Sequence, residues 1–293
     1  MSSGKKRPFS GRGLSFFASD LHGCTERYEK LFERIEKERP PALFLGGDLL
    51  PAVGKHAGKG GFVQDYLGPA FAELHRKLEP DLFRVFLILG NDDPRVHEPA
   101  VRAAEAAGAW KYMHDRWAEW ESLRVCGYAF VPPTPFRLKD WERYDVSRFV
   151  DPGCTHPLEG TTSYPVTESE LAFLTIQEGL ARLTRNDPMD NVVCLFHAPP
   201  YSTGLDRAAL DGRSIDHVPL DVHVGSIAIR RFIEERQPLL TLHGHVHESA
   251  RLTGIWKELL GRTVMLSAAH DEKELCLVRF DPEHPQDATR ELI

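Results

Sequence analysis

Short apolar runs that stop abruptly at polar, ligand-type residues govern what this chain can become. "LSFFAS" at 14–19 gives way to "DLHG", "ALFLG" at 42–46 to "GDLL", and "VFLILG" at 85–90 to "NDDP". Further along, "NVVCLF" at 191–196 is followed by "HAPP", and "PLLTL" at 238–242 by "HGHVHES". Runs of this length, flanked by glycine and turn residues, read as buried strands. The segments between the first three have helical character. In "RYEKLFERIEKER", Tyr28, Leu31, Phe32 and Ile35 share one face, and Pro40 and Pro41 close the helix. A second helix is predicted over 65–78. This β-α-β-α-β order favours parallel strands joined by right-handed crossovers. Ligands in such sheets bind beyond the carboxyl ends of the strands. The residues that follow each run therefore gather along one edge. Any one of these endings is compatible with a surface turn, because Asn, Asp and Gly are common turn formers. Five successive strand ends that carry oxygen and nitrogen ligands are not accounted for that way.

The rest of the chain fits one large α/β domain over 14–293, preceded by a disordered tail over 1–13. "LRVCGYAFV", "RTVMLSAA" and "ELCLVRF" read as strands, and "PRVHEPAVRAAEAAGA" and "SIAIRRFIEERQ" as mostly helical. One helix is predicted over 167–185, opened by a capping box of Thr167 and Glu170. Long loops occupy 132–165 and 198–224, and loops of that length are usually functional or flexible. Hydrophobic residues make up 42% of the 293, enough for a sizeable core. The net charge of −7 speaks against a long nucleic acid as partner. No apolar run approaches the roughly 20 residues that span a bilayer, and the basic start lacks a signal-type apolar stretch. The five cysteines form no CxxC pair, so a reducing cytoplasm is the expected compartment.

The strand ends supply Asp20, His22, Asp48, Asn91, His197, His245 and His247. Mixed carboxylate and imidazole ligation without thiolate suits Mn, Fe, Zn or Co. Seven ligands exceed what one ion takes, so two ions sharing a carboxylate fit better. Such a pair activates water and clamps a phosphoryl oxygen.

The ordered series D-L-H, G-G-D, G-N-D, H-A-P-P and G-H-V-H resembles the calcineurin-like metallophosphoesterase superfamily, from Asp20 to His247. The resemblance implies a sandwich of two facing mixed β-sheets flanked by helices, with a dimetal site at the strand ends. It implies that one metal takes Asp20, His22, Asp48 and His247. The other takes Asp48, Asn91, His197 and His245, with Asp48 as the bridge. It further implies metal-activated hydrolysis of a phosphoester, with two divalent transition metal ions as cofactors, Mn placed first.

The chain departs from the family where most members read G-N-H, because Asp92 replaces the histidine. A carboxylate beside two dications is ionised, holds no proton for a leaving group and repels a phosphate dianion most. A small-molecule or nucleotide-like phosphodiester is the expected substrate class. The other reading has Asp92 capping the helix after Pro94. Asp92 and His223 are the candidate catalytic side chains, and Asn91, Arg207 and Ser226 the candidate substrate contacts. Ser226 is the expected N-cap of the helix it opens, and helix N-termini bind anions. Lys55 and Lys59, in "GKHAGKGG", are expected on the rim of the site. His243 matches no ligand position and is expected to pack as a strand-end residue. A nuclease and a metal-binding scaffold without turnover are the competing functions.

Overall fold

A computed structural model describes residues 13–52, 61–78 and 83–293. Lys55 and Lys59 lie outside the described residues. So does the tail over 1–13, except Gly13.

Fourteen strands among the described residues form two large mixed sheets and a small hairpin. The first sheet uses β1 (Ser15–Ala18), β2 (Ala42–Gly46), β3 (Arg84–Ile88), β4 (Lys111–Tyr112), β13 (Cys276–Phe280) and β14 (Thr289–Leu292), in the order β14-β13-β1-β2-β3-β4. β1 through β4 run parallel, and β13 and β14 add antiparallel on the far side of β1. The second sheet uses β5 (Arg116–Trp120), β6 (Leu123–Tyr128), β7 (Val192–Phe196), β10 (Leu240–His243), β11 (Lys257–Leu260) and β12 (Thr263–Ser267), in the order β11-β12-β10-β7-β6-β5. Its four central strands are parallel and its two edges antiparallel. β8 (Ser214–Ile215) and β9 (Val218–Pro219) form the separate hairpin.

Continuous apolar runs become the central parallel strands because both of their faces are covered. Every residue of β2 and of β7 is buried. Phe44 shows how the two sheets meet. Its ring stacks on Phe86 of its own sheet at 5.1 Å and meets Trp120 of the facing sheet edge-on at 5.3 Å. Full burial of a side chain of this size contributes roughly 1.5–3 kcal/mol.

The helices are α1 (Thr25–Glu38), α2 (Gly68–Lys77), α3 (Glu98–Ala106), α4 (Glu168–Phe173), α5 (Ile176–Thr184), α6 (Ile227–Arg236) and α7 (Ser249–Thr253). Helix α1 buries Tyr28, Leu31 and Ile35, the spacing of one amphipathic face. It ends where Arg39 turns left-handed and donates its N–H to the Ile35 carbonyl. The single helix expected over 167–185 is in fact two. Leu174 and Thr175 are extended, and Thr175 with Glu178 forms a second capping box directly after that of Thr167 with Glu170. Two boxes of the form T-x-x-E therefore start two helices. No helix among the described residues is long and apolar enough to cross a membrane.

Candidate metal centre

The carboxyl ends of β1, β2, β3, β7 and β10 converge, and each delivers polar side chains to one place. One donor atom from each of Asp20, His22, Asp48 and His247 lies within 4.8 Å of all the others. The Nε2 atoms of His22 and His247 are 3.2 Å apart, and His247 Nε2 is 3.3 Å from Asp20 Oδ1. Nitrogen donors that share one ion at about 2.0–2.1 Å stand roughly 3 Å from each other, which is the spacing of the two imidazoles. On the other side of Asp48, His197 Nε2 lies 3.3 Å from Asp48 Oδ2 and 3.1 Å from Asn91 Oδ1. The His245 ring sits 5.2 Å from that of His197. Asp48 thus stands between two groups of donors.

Three further features fit this set to cations. Asp20 Oδ2 is buried without a hydrogen-bond partner. His197 donates its Nδ1 hydrogen to the Gly46 carbonyl at 2.7 Å, which fixes the ring and leaves Nε2 free as a donor to metal. Asn91 donates from Nδ2 to Asp92 Oδ1 at 3.0 Å, so its carbonyl oxygen faces the site. Charge points the same way. Burial opposes ionisation of Asp20 and Asp48, yet the surrounding imidazoles hold both carboxyls below their ordinary value. Burial likewise disfavours charge on His197 and His247, but Asp48 raises the first to about 10 and Asp20 the second to about 9. Those imidazoles hold protons where a cation would sit, so an ion would bind by displacing them.

The backbone is bent to make this possible. Asp20, His22, Asp48 and His245 all have positive φ, between 47° and 73°. Such conformations cost energy for non-glycine residues and cluster at functional sites. Gly90 and Gly244 leave room for the donors. A Cβ on Gly90 would collide with Asp48 Oδ1, and one on Gly244 would sit 2.6 Å from Asp20 Oδ2.

The sequence model of calcineurin-like phosphoesterases matches residues 16–249, most of the chain. The chain belongs to the calcineurin-like phosphoesterase family. The chain is 30% identical over 121 residues to an uncharacterised protein of Methanocaldococcus jannaschii, a match that covers 41% of this chain. The matched segment spans less than half of that relative, 46% of its length. One crystal structure superposes with a TM-score of 0.59 at 17% identity, covering 95% of this chain and 98% of its own. Another, from Thermus thermophilus, superposes with a TM-score of 0.56, also at 17% identity, covering 96% and 98%. At that identity the two structures share the fold. The family uses a dinuclear divalent metal site, and the donor set of this chain is a candidate for it.

The other candidate residues of the chain separate clearly. Asp92 does not cap the following helix. Its half-exposed carboxylate turns to the metal set, 3.8 Å from His22 Nδ1, while its own N–H donates to Asp48 Oδ1. Ser226 is not a substrate contact. It is fully buried, caps α6 by accepting from Ile229 N, and donates to Asp145 Oδ1. The anion at this helix start is Asp145 itself, which accepts from Ile227 N and Ala228 N. Arg207 is not offered to a phosphate either, because its guanidinium forks onto Asp211 and the Ala208 carbonyl. His223 hands Nδ1 to buried Asp206 at 2.7 Å and lines a separate cavity. Among the described residues, none of the seven metal-set side chains lines that cavity. His243 is enclosed and fully partnered, by the Ala198 carbonyl and Thr241 Oγ1.

Sequence reasoning missed Asp93. This fully buried carboxylate accepts from Leu49 N, Leu50 N and Gly90 N, and so laces the Asp48 loop to the Asn91 loop. Burial and nearby Asp48 push its carboxyl up to about 8. Trp141, from the long loop, donates its indole N–H to the Asp93 carbonyl, and Asp140 accepts from Arg95 N. The loop over 132–165 is therefore pinned against the site. Nothing in the sequence beyond the doubled Asp of "GNDDP" signals this.

Proposed function

We propose that this phosphoesterase hydrolyses a small phosphodiester, nucleotide-like in size, with two divalent transition metal ions, manganese first among Mn, Fe, Zn and Co. The observation that carries this reading is the pair of donor groups that share Asp48, with the buried Asp20 Oδ2 left over for a cation. Asp20, His22, Asp48 and His247 would hold one ion, and Asp48, Asn91, His197 and His245 the other. The two ions supply charge neutralisation and acidify water near neutral pH.

The chain's own residues do the rest. Asn91 contributes a neutral carbonyl oxygen, so it binds without adding negative charge. His197 is held for its task by the Gly46 carbonyl. Asp92 sets the substrate class. Its carboxylate is half exposed at the site and disfavours a second negative charge on the phosphate, so diesters are accepted over monoester dianions. It also provides no proton for an alkoxide leaving group beside two dications, which favours esters whose leaving group departs unaided. Action in the reducing cytoplasm agrees with five free cysteines, including Cys126 and Cys194 with sulfurs 3.4 Å apart.

The test is metal analysis of the purified protein, then hydrolysis of bis(p-nitrophenyl) phosphate, p-nitrophenyl phosphate and an alkyl monoester with each metal. Faster turnover of the diester is expected. Bound metal with no turnover of any ester would replace this reading with that of a non-catalytic metal scaffold.

A further inference from the structure

The two long loops enclose a cavity of about 400 Å³ whose lining is separate from the metal set. One wall comes from the segment after β6 and the other from the segment after β7, and these two strands are parallel neighbours in register. Tyr201 lies in the second wall, four residues after His197, and four residues span at most about 14 Å. That wall is tied to the same segment by backbone bonds, Ser226 N to the Pro199 carbonyl at 2.9 Å and Tyr201 N to the Ser226 carbonyl at 3.0 Å. The hairpin of β8 and β9 borders the cavity, with Ile215 against Gly153, where an added Cβ would collide with Ile215 Cδ1.

The lining has a distinct chemistry. Most of it is apolar, with Val146 and Leu220 as examples. Two aromatic rings, Phe149 and Tyr201, and two carboxylates, Asp151 and Asp221, also face it. Asp221 anchors this group by accepting from the Tyr201 hydroxyl at 2.6 Å and from His223 N at 2.9 Å. Burial and the neighbouring Asp221 push the Asp151 carboxyl above its ordinary value, as two like charges sharing a space require. A third carboxylate, Asp145, is spent on the start of α6. Among the described residues, Arg213 is the one arginine or lysine in the lining, exposed like Phe149, Asp151 and Asp221, and the imidazole of His223 is paired with Asp206. Aromatic faces and carboxylates around an otherwise apolar space recognise an organic cation, whereas a phosphate would be repelled.

We propose that this cavity binds an alkylammonium group, and that it selects phosphodiesters with a cationic organic arm. The selection rests on the phosphoesterase reading above, while the binding does not. The probe is choline, compared with its neutral isostere 3,3-dimethylbutan-1-ol, in calorimetric titrations of the full metal-loaded chain. The kinetic pair is p-nitrophenyl phosphocholine against p-nitrophenyl 3,3-dimethylbutyl phosphate. Choline is expected to bind at least about tenfold more tightly than the isostere, and its ester to show a kcat/KM higher by a similar factor. Asp221→Asn and Phe149→Ala should each bring both ratios to within about twofold. Phe149 is largely exposed, so its truncation leaves the fold intact. Equal affinities in the native protein, or a preference that survives both variants, would overturn the proposal. If choline is preferred but bis(p-nitrophenyl) phosphate is not hydrolysed, the cavity assignment stands and the phosphoesterase reading falls. Diester hydrolysis without any choline preference has the opposite meaning.

Discussion

At the scale of single residues, Asp92 is where this chain departs from the family pattern. Its carboxylate sits where the family's histidine is expected, with His22 Nδ1 3.8 Å away. Asp92→His is expected to restore a proton donor and remove a negative charge. Proton transfer of this kind contributes about 10²–10⁴-fold, so kcat/KM for an alkyl monoester should rise by at least about tenfold relative to bis(p-nitrophenyl) phosphate. An unchanged ratio between the two substrates would sink this account of Asp92. A second residue sets a pH dependence away from the metals. The His114 ring packs edge-on against Phe130 and Trp141, both at 4.9 Å, and accepts from Ala129 N at Nδ1. Burial, with Arg95 and Arg143 nearby, pushes its pKa down to about 3. The unfolded chain takes up this proton near pH 6.5, while the folded chain refuses it until about pH 3. Stability from His114 is therefore complete above 6.5 and is lost as pH falls through that window, by up to about 1.4 kcal/mol per pH unit. Urea midpoints at pH 7 and pH 5 check this. The native protein should lose more between them than His114→Gln, and the metal-set histidines, common to both, cancel in the difference. Equal losses would mean that His114 is not held neutral.

At the scale of elements, the sequence was legible where a segment's own pattern decides its fate. The all-apolar β2 and β7 were visible, as were the amphipathic α1 and the ligand residues that end each buried strand. Edge strands were not. β5, β11 and β14 carry Glu119, Glu258 and Glu291 among their apolar residues, and they become strands because a partner offers its edge. The start of α6 is a similar case. Its Ser226 cap was readable, but the carboxylate that serves the helix comes from Asp145, 81 residues earlier. Asp145→Ala should leave the N–H groups of Ile227 and Ala228 without their acceptor, at a cost of about 1–3 kcal/mol. Asp145→Asn, which keeps one acceptor oxygen, should cost less. Urea unfolding of the two variants gives the comparison, and no loss in Asp145→Ala would show that water replaces the carboxylate freely.

At the scale of the whole molecule, the two sheets come together along the line of proposed ligands. Asp20, His22, Asp48 and Asn91 follow strands of the first sheet, and His197, His245 and His247 follow strands of the second. Bonds already cross this seam, from His197 Nδ1 to the Gly46 carbonyl and from His245 N to Asp20 Oδ1. The order of ligands along the chain was visible in the sequence. The pairing of β13 beside β1, and the packing of one sheet on the other, were not, because they depend on contacts between segments far apart in the chain. Ions held at the seam would cross-link the sheets, so their removal should weaken the whole fold and not only the site. A ligand present at a hundredfold its Kd stabilises the folded state by about 2.7 kcal/mol. For a chain of this size that corresponds to a fall in Tm on the order of 4 °C on chelation. The measurement is a thermal melt of the protein as purified, after chelator, and after manganese is restored. Tm should fall and then recover. Asp48→Asn, which damages both donor groups, should melt near the chelated value and gain little from added manganese. His197→Ala should keep part of the response, because the set of Asp20, His22, Asp48 and His247 stays complete. A full manganese response in Asp48→Asn would mean that the stabilising metal binds elsewhere, and no response in the native protein would mean that the seam is held by its hydrogen bonds and apolar contacts alone.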